Sequence, residues 1–179
     1  MRLFVAVWPD AAAVEHLDAA LAPVRARVPD LRWQPLERWH VTLAFLGEVA
    51  EGRVGAARDA AEAVASRHGG VPEIRLAGSG TFDRVLWTGL APSPSPLAPV
   101  ARDLALSLRA SGFAIERRPW APHLTLARAR GETSPVRAAC EALAGYAGPA
   151  WPVREITLVR SVAGPHPAYD VLDRLPLQE

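Results

Sequence analysis

The chain has 179 residues, 50% of them hydrophobic and 22% charged, with a formal net charge of +1. This length suits one domain burying roughly 70% of its unfolded surface without help from a metal or disulfide, and the balanced charge excludes a global attraction to nucleic acid. None of the 20 basic residues is lysine, which excludes P-loop chemistry and any covalent lysine intermediate, a lysyl-adenylate included.

In chain order, Arg2-Leu3-Phe4-Val5-Ala6-Val7 opens a strand over 2 to 8. It lacks the apolar stretch of a signal peptide, and no apolar run approaches the ~20 residues of a membrane span, so a cytoplasmic protein with no membrane partner is expected. Val14, Leu17, Leu21 and Val24 give a helix after Pro9-Asp10. Strands follow near 31 to 34 and 39 to 46, then a weaker helix through Val54, Ala57, Ala61 and Val64. Strands near 73 to 78 and 84 to 90 flank Gly78-Ser79-Gly80, which reads as a turn. The Pro/Ser turn at 92 to 96 separates the halves, and a helix through Leu97, Ala101, Leu104 and Leu108 comes after it. Strands near 113 to 118 and 123 to 128, a helix from about Ser134 to Ala144, and strands near 151 to 161 and 168 to 175 complete the chain. Cys140, the only cysteine, falls on the apolar stripe of that last helix with Val136 and Leu143, as a buried structural thiol.

His40-Val41-Thr42-Leu43-Ala44 recurs 83 residues later as His123-Leu124-Thr125-Leu126-Ala127. We expect one domain over 1–179 built of two similar lobes, each contributing one such strand. Strict alternation puts His40, Thr42 and Ala44 on one face against Val41, Leu43 and Phe45 on the other; the second copy repeats the arrangement. The alanines leave room for a ligand. Two imidazoles can serve as general base and general acid near neutral pH, and the two hydroxyls can donate to phosphate oxygens. A metal site is not expected: two histidines supply too few ligands, and there is no His-Glu-x-x-His and no cysteine pair.

The segments Trp39-His40-Val41-Thr42-Leu43-Ala44-Phe45-Leu46-Gly47 and Pro122-His123-Leu124-Thr125-Leu126-Ala127-Arg128 resemble the paired signatures of the 2H phosphoesterase superfamily, and more narrowly its RNA 2′,3′-cyclic phosphodiesterase (2′-5′ RNA ligase) branch. The opening strand and Tyr169-Asp170-Val171-Leu172 extend the resemblance over essentially the whole chain. It implies an α+β, bilobal, pseudo-symmetric fold, with antiparallel sheets lining a central cleft and helices outside. It implies hydrolysis of RNA 2′,3′-cyclic phosphate ends to 2′-phosphates, with RNA ends or short oligonucleotides as substrate and no metal or nucleotide cofactor. His40 and His123 would be the acid/base pair; Thr42, Thr125 and Arg128 would hold the phosphate. The motifs do not say which histidine is the acid; we take His40 to protonate the leaving 3′ oxygen and His123 to activate water. No obligatory protein partner is evident, and a monomer is expected. Action on 2′,5′-linked oligonucleotides or small cyclic nucleotides, or an RNA-end binding or ligating role, stays open.

Strict alternation sets Arg128 opposite His123, so it reaches the site only through a bulge or the strand's end. Trp39 stands where the family more often has an aliphatic residue, a departure that could alter base stacking at the cleft rim, or nothing. Arg118 and Trp120, just before the second motif, combine charge and a flat aromatic as in single-strand binding. His68 is read as a helix-end cap, His16 as a polar-face residue and His166 as a turn residue.

Overall fold

The computed structural model describes residues 1–163 and 168–178. Among these residues nine strands and four α-helices are interspersed: β1 (Arg2–Val7), α1 (Ala11–Arg27), β2 (Arg32–Trp33), β3 (Val41–Glu48), α2 (Val54–Ala65), β4 (Val71–Phe82), β5 (Val85–Ala91), α3 (Ala98–Ala110), β6 (Leu124–Arg128), α4 (Ser134–Leu143), β7 (Ala147–Val153), β8 (Glu155–Val162) and β9 (Ala168–Pro176). The strands form one antiparallel sheet in the order β7-β4-β5-β6-β3-β1-β8-β9, with β2 added onto β6. The fold is α+β, as expected, although the strands join into one continuous sheet.

Two four-strand groups meet at the centre of this sheet, where β3 and β6 share a single residue pair, Val41 with Leu124. Helices α1 and α4 pack on the β4-β5-β7 side, and α2 and α3 pack on the β3, β8 and β9 side. The main core lies between sheet and helices. Leu3, Val5, Val7, Val41, Leu43, Leu124 and Leu126 face it, together with Leu17 and Leu21 of α1 and Leu104 and Leu108 of α3. Phe4, Ala6 and Val159 form a second, smaller cluster with Trp8 and Tyr169. By the parity of β1, that cluster lies on the opposite face of the sheet. Helix α1 starts where Asp10 Oδ1 accepts from the Ala13 amide at 2.8 Å, satisfying one of its unpaired donors.

Three expectations are corrected. Residues 113–118 form no strand, because Arg109 at the end of α3 donates through Nε to the Ile115 carbonyl at 3.1 Å and through its guanidinium to the Glu116 carbonyl. Side-chain donors thus take carbonyls that a ladder would use. The apolar run at 151 to 161 is two strands, not one. β7 pairs with β4 and β8 with β1, so the chain crosses at Arg154 from one end of the sheet to the other. Pro149 and Pro152 suit β7, because an edge strand tolerates residues that cannot donate. Gly78-Ser79-Gly80 is not a turn but an irregularity inside β4: Gly78 has φ +65°, and the register with β5 shifts between Ala77 and Gly80. Thr88 Oγ1, buried in β5, donates to the Gly78 carbonyl at 2.8 Å and holds that shape.

Cys140 is half-buried. Ala139 takes the fully buried position between Val136 and Leu143, and the thiol lies 3.5 Å from Ser79 Oγ at the margin of the core.

Candidate active site

Each histidine immediately precedes its strand, at the junction of the two strand groups. Antiparallel pairing of Val41 with Leu124 sets His40 across from Thr125, and Thr42 across from His123, one step to either side. Val41 and Leu124 are fully buried in the core, so the two His/Thr pairs stand together on the other face. The two strands diverge from this pair, and the nearness of the two imidazoles shows in the field that His123 exerts on His40.

Both imidazoles are tied in the same way. His40 Nδ1 lies 2.7 Å from the Arg38 carbonyl and His123 Nδ1 lies 2.8 Å from the Ala121 carbonyl. A carbonyl only accepts, so in each ring Nδ1 carries the proton. Nε2 is then the group that gains or loses one, and neither Nε2 has a protein hydrogen-bond partner among the described residues.

Strict alternation does not survive past the threonines. Between β1 and β3 the partners pass from Ala6–Thr42 to Val5–Ala44; between β5 and β6 they pass from Trp87–Thr125 to Leu86–Ala127. One extra residue is thus accommodated in each motif, Leu43 in one and Leu126 in the other, a bulge at the same letter of His-x-Thr-Leu. Leu43 and Ala44 are both buried, as are Leu126 and Ala127. The alanines therefore do not line the displayed face. The residues that return to it are Phe45, 49% exposed, and Arg128, also exposed. The bulge that Arg128 requires is present, and Phe45 is its counterpart in the other motif.

The profile of the 2'-5' RNA ligase superfamily matches residues 8–165. The chain belongs to this superfamily. A Geobacillus stearothermophilus protein named RNA 2',3'-cyclic phosphodiesterase is 30% identical over 97% of the chain and 56% of its own length. One of the same name from Aeropyrum pernix is 34% identical over 53% of the chain and 55% of its own length. The chain thus spans little more than half of these relatives. Among solved structures, a protein of Thermus thermophilus has a TM-score of 0.77 at 26% identity, covering 99% of this chain and 98% of that one. Escherichia coli LigT complexed with 3'-AMP has a TM-score of 0.75 at 28% identity, with the same coverage.

Within this superfamily member the two histidines differ in surroundings. His40 packs among Phe4, Trp8 and Tyr169, with ring centroids 4.9, 5.4 and 5.2 Å away. That burial, the largest cause, pushes its pKa below the ordinary histidine value; the Arg38 carbonyl opposes the shift, and the fields of His123 and the Arg38 guanidinium add to it. Since the unfolded chain takes up the proton near pH ~6.5, the stabilisation from a neutral His40 is complete above that pH and is lost as pH falls toward the depressed folded value. The melting temperature of the wild type is therefore expected to drop more between pH 7.5 and 5.5 than that of His40→Gln, as thermal scans at the two pH values would measure. Equal drops would contradict the effect of burial.

His123 has its own aromatic neighbours, Phe82 at 4.9 Å in an edge-on contact and Trp87 at 6.2 Å. Gly80 makes room for Trp87, because a Cβ there would stand 2.0 Å from the indole. The sequence reading misses these neighbours. The available signal was the parity of β1, which sets Phe4 and Trp8 apart from Leu3, Val5 and Val7.

A cavity of about 950 Å³ opens from Thr42 and His123 between β3, α3 and residues 114–121. Arg118 and Trp120 both line it. Trp120 is also structural, because its Nε1 donates to the Thr42 carbonyl at 2.9 Å and pins the irregular segment to β3. Arg118 is solvated and pairs with Glu116 at 3.0 Å. Trp39 is not at a rim. It is fully buried, and with Val41 it anchors the backbone on either side of His40.

The remaining histidines stand apart from the site. His68 Nε2 meets Asp103 Oδ2 at 2.9 Å, bridging α2 to α3 in place of the expected cap on its own helix. Asp103 is held below the usual carboxylate range by Arg102 and then by His68. His16, on the exposed side of α1, lies 3.2 Å from the Tyr146 hydroxyl, whose pKa burial raises to about 12. His166 lies outside the described residues. Among the described residues, no helix is long and apolar enough to cross a membrane.

Proposed function

We propose that this chain hydrolyses RNA 2′,3′-cyclic phosphate ends to 2′-phosphates by a two-histidine acid/base mechanism that needs no metal or nucleotide cofactor. The observation that carries the reading is the matched pair of His/Thr sets across the β3–β6 junction, each histidine with Nδ1 tied to the backbone. The names of the two relatives support the choice of substrate, and a LigT structure complexed with 3'-AMP supports a nucleotide as ligand.

In the proposed step, His123 Nε2 takes a proton from water as the water oxygen bonds to phosphorus. The bond from phosphorus to the 3′ oxygen breaks opposite the attack, and His40 Nε2 gives that oxygen its proton. Atoms and charge balance without a further reactant. Burial makes the His40 imidazolium a stronger donor, and the bound phosphodiester anion offsets the cost of charging it. Thr42, Thr125 and Arg128 donate to the non-bridging oxygens, where charge accumulates. Each threonine stands across from the other motif's histidine, so both motifs grip one phosphoryl group. The protein would act as a cytoplasmic monomer on RNA ends or short oligonucleotides.

The direct test incubates the purified protein, in EDTA, with an RNA ending in a 2′,3′-cyclic phosphate and resolves the products by chromatography. A 2′-phosphomonoester is expected. Its absence, with the cyclic end intact, would overturn the proposal.

A further inference from the structure

The two motifs are alike through the bulge and then diverge, and the divergence has a shape. Ahead of the first motif, β2 pairs onto β6, setting Arg32 against Arg128 and Trp33 against Ala127. The corresponding stretch ahead of the second motif is 113–118, since Arg32 precedes His40 by the same eight residues as Ile115 precedes His123. That stretch does not pair onto β3. Arg109 holds its carbonyls, and Trp120 reaches β3 only through an indole. The cavity of about 950 Å³ stands where the missing pairing would be.

This cavity is continuous with the catalytic face, because Thr42 and His123 form part of its wall. Phe45 and Phe82 line it with 49% and 44% of their surfaces exposed. Large aromatics left this exposed beside a cavity offer flat faces for stacking, which every nucleobase can use. Arg102, Arg109 and Arg118 line it as well; Asp103 pairs with Arg102 and Glu116 with Arg118, which leaves a local excess of one positive charge beside the catalytic face. Its volume lies at the top of the range of small-molecule sites, which run from roughly 300 to 1,000 Å³.

Resting on the reading of the site as one for RNA ends, we propose that this cavity takes the last two nucleosides of the strand, with Phe82 against the terminal base and Phe45 as the stacking platform for the base before it. Phe82 touches the His123 ring, so a base on it adjoins the reacting phosphate. Across the bulge Phe45 stands two register steps along β3 from Thr42, since their partners on β1 are Phe4 and Ala6, roughly 7 Å farther out at 3.3 Å per residue. It has an aromatic face to offer where the other motif has a guanidinium. The enzyme is thus a reader of oligonucleotide ends and favours them over mononucleotides.

Two measurements on the full chain test this. In the first, calorimetric titration compares adenosine 2′-phosphate with a diadenosine dinucleotide ending in a 2′-phosphate, ligands that require no turnover. One stacked base predicts about tenfold tighter binding of the dinucleotide. Phe45→Leu, which keeps apolar bulk and loses the ring, brings the ratio toward one; Phe45→Tyr restores it. Equal binding of the two ligands by the wild type, or an unchanged ratio in Phe45→Leu, overturns the proposal. In the second, kcat/KM is compared for the matching cyclic phosphates. A protein that shows the binding ratio and hydrolyses neither would refute the proposed reaction and uphold the cavity assignment.

Discussion

Replacing either His40 or His123 with alanine is expected to lower kcat by roughly 10²- to 10⁴-fold, the usual contribution of a positioned proton-transfer group. The two losses should be of similar size, because each ring serves one end of the same displacement. The double variant should be little worse than either single one, since residues acting as a unit do not contribute additively. The expectation rests on the free Nε2 of each ring, so a second substitution separates chemistry from architecture. His→Asn keeps a donor able to reach the carbonyl that each Nδ1 now uses, Arg38 for one and Ala121 for the other, but supplies no group that titrates near neutrality. If Asn preserves the melting temperature while activity stays low, the loss is one of proton transfer. His40 makes this control necessary, because its ring also packs on Phe4, Trp8 and Tyr169. Single-turnover rates on a cyclic-phosphate RNA would decide the matter: a variant within tenfold of the wild type would remove that histidine from the mechanism.

The parts of this site legible in the sequence are those that obey strand parity over short distances. His40 and Thr42, and His123 and Thr125, are two residues apart, and between them stands one residue bound for the core. Parity beyond the threonines failed in both motifs for the same reason. A bulge adds one residue to one strand of a pair and exchanges the faces of everything after it, and no letter in Leu43-Ala44 or Leu126-Ala127 announces it: small and apolar residues fit either face. Buried alanines therefore replaced the expected open floor, and Phe45 and Arg128 came into view. The apolar stripes of the helices were legible because burial on a helix repeats over several turns. The break at Arg154 was not, because an apolar run reads alike whether it pairs with one neighbour throughout or changes neighbours halfway. The failed strand at 113–118 shows a third limit: alternation reports a willingness to pair, while the hydrogen bonds from Arg109 that prevent pairing come from a helix whose end is recorded elsewhere in the chain.

Arg128 carries the second large expectation. Substituting it with methionine should lower kcat/KM by roughly 10²- to 10³-fold, the cost of removing one donor aimed at developing charge, without lowering the melting temperature. The side chain is exposed, and its strand contacts to Arg32 and Val85 are made through the main chain, so methionine can occupy the same place in the sheet. Arg128→Lys should recover only part of the activity, because an ammonium offers a point charge where a guanidinium can donate two parallel hydrogen bonds to a phosphate. The effect should exceed that of removing either threonine, since a charged donor contributes more than a hydroxyl. Wild-type kcat/KM in Arg128→Met would make this residue a solvated arginine with no part in holding the phosphate. A loss confined to Arg128→Met, with Arg67→Met, exposed and away from the cavity, close to wild type, would mark the bulge at Leu126 as the feature that brings the guanidinium onto the face of Thr125. The same displacement at Leu43 brings an aromatic ring to the matching place beside Thr42. The phosphate would then be held from one strand and the base from the other, which gives a site built from two like motifs a single direction in which to bind an RNA end.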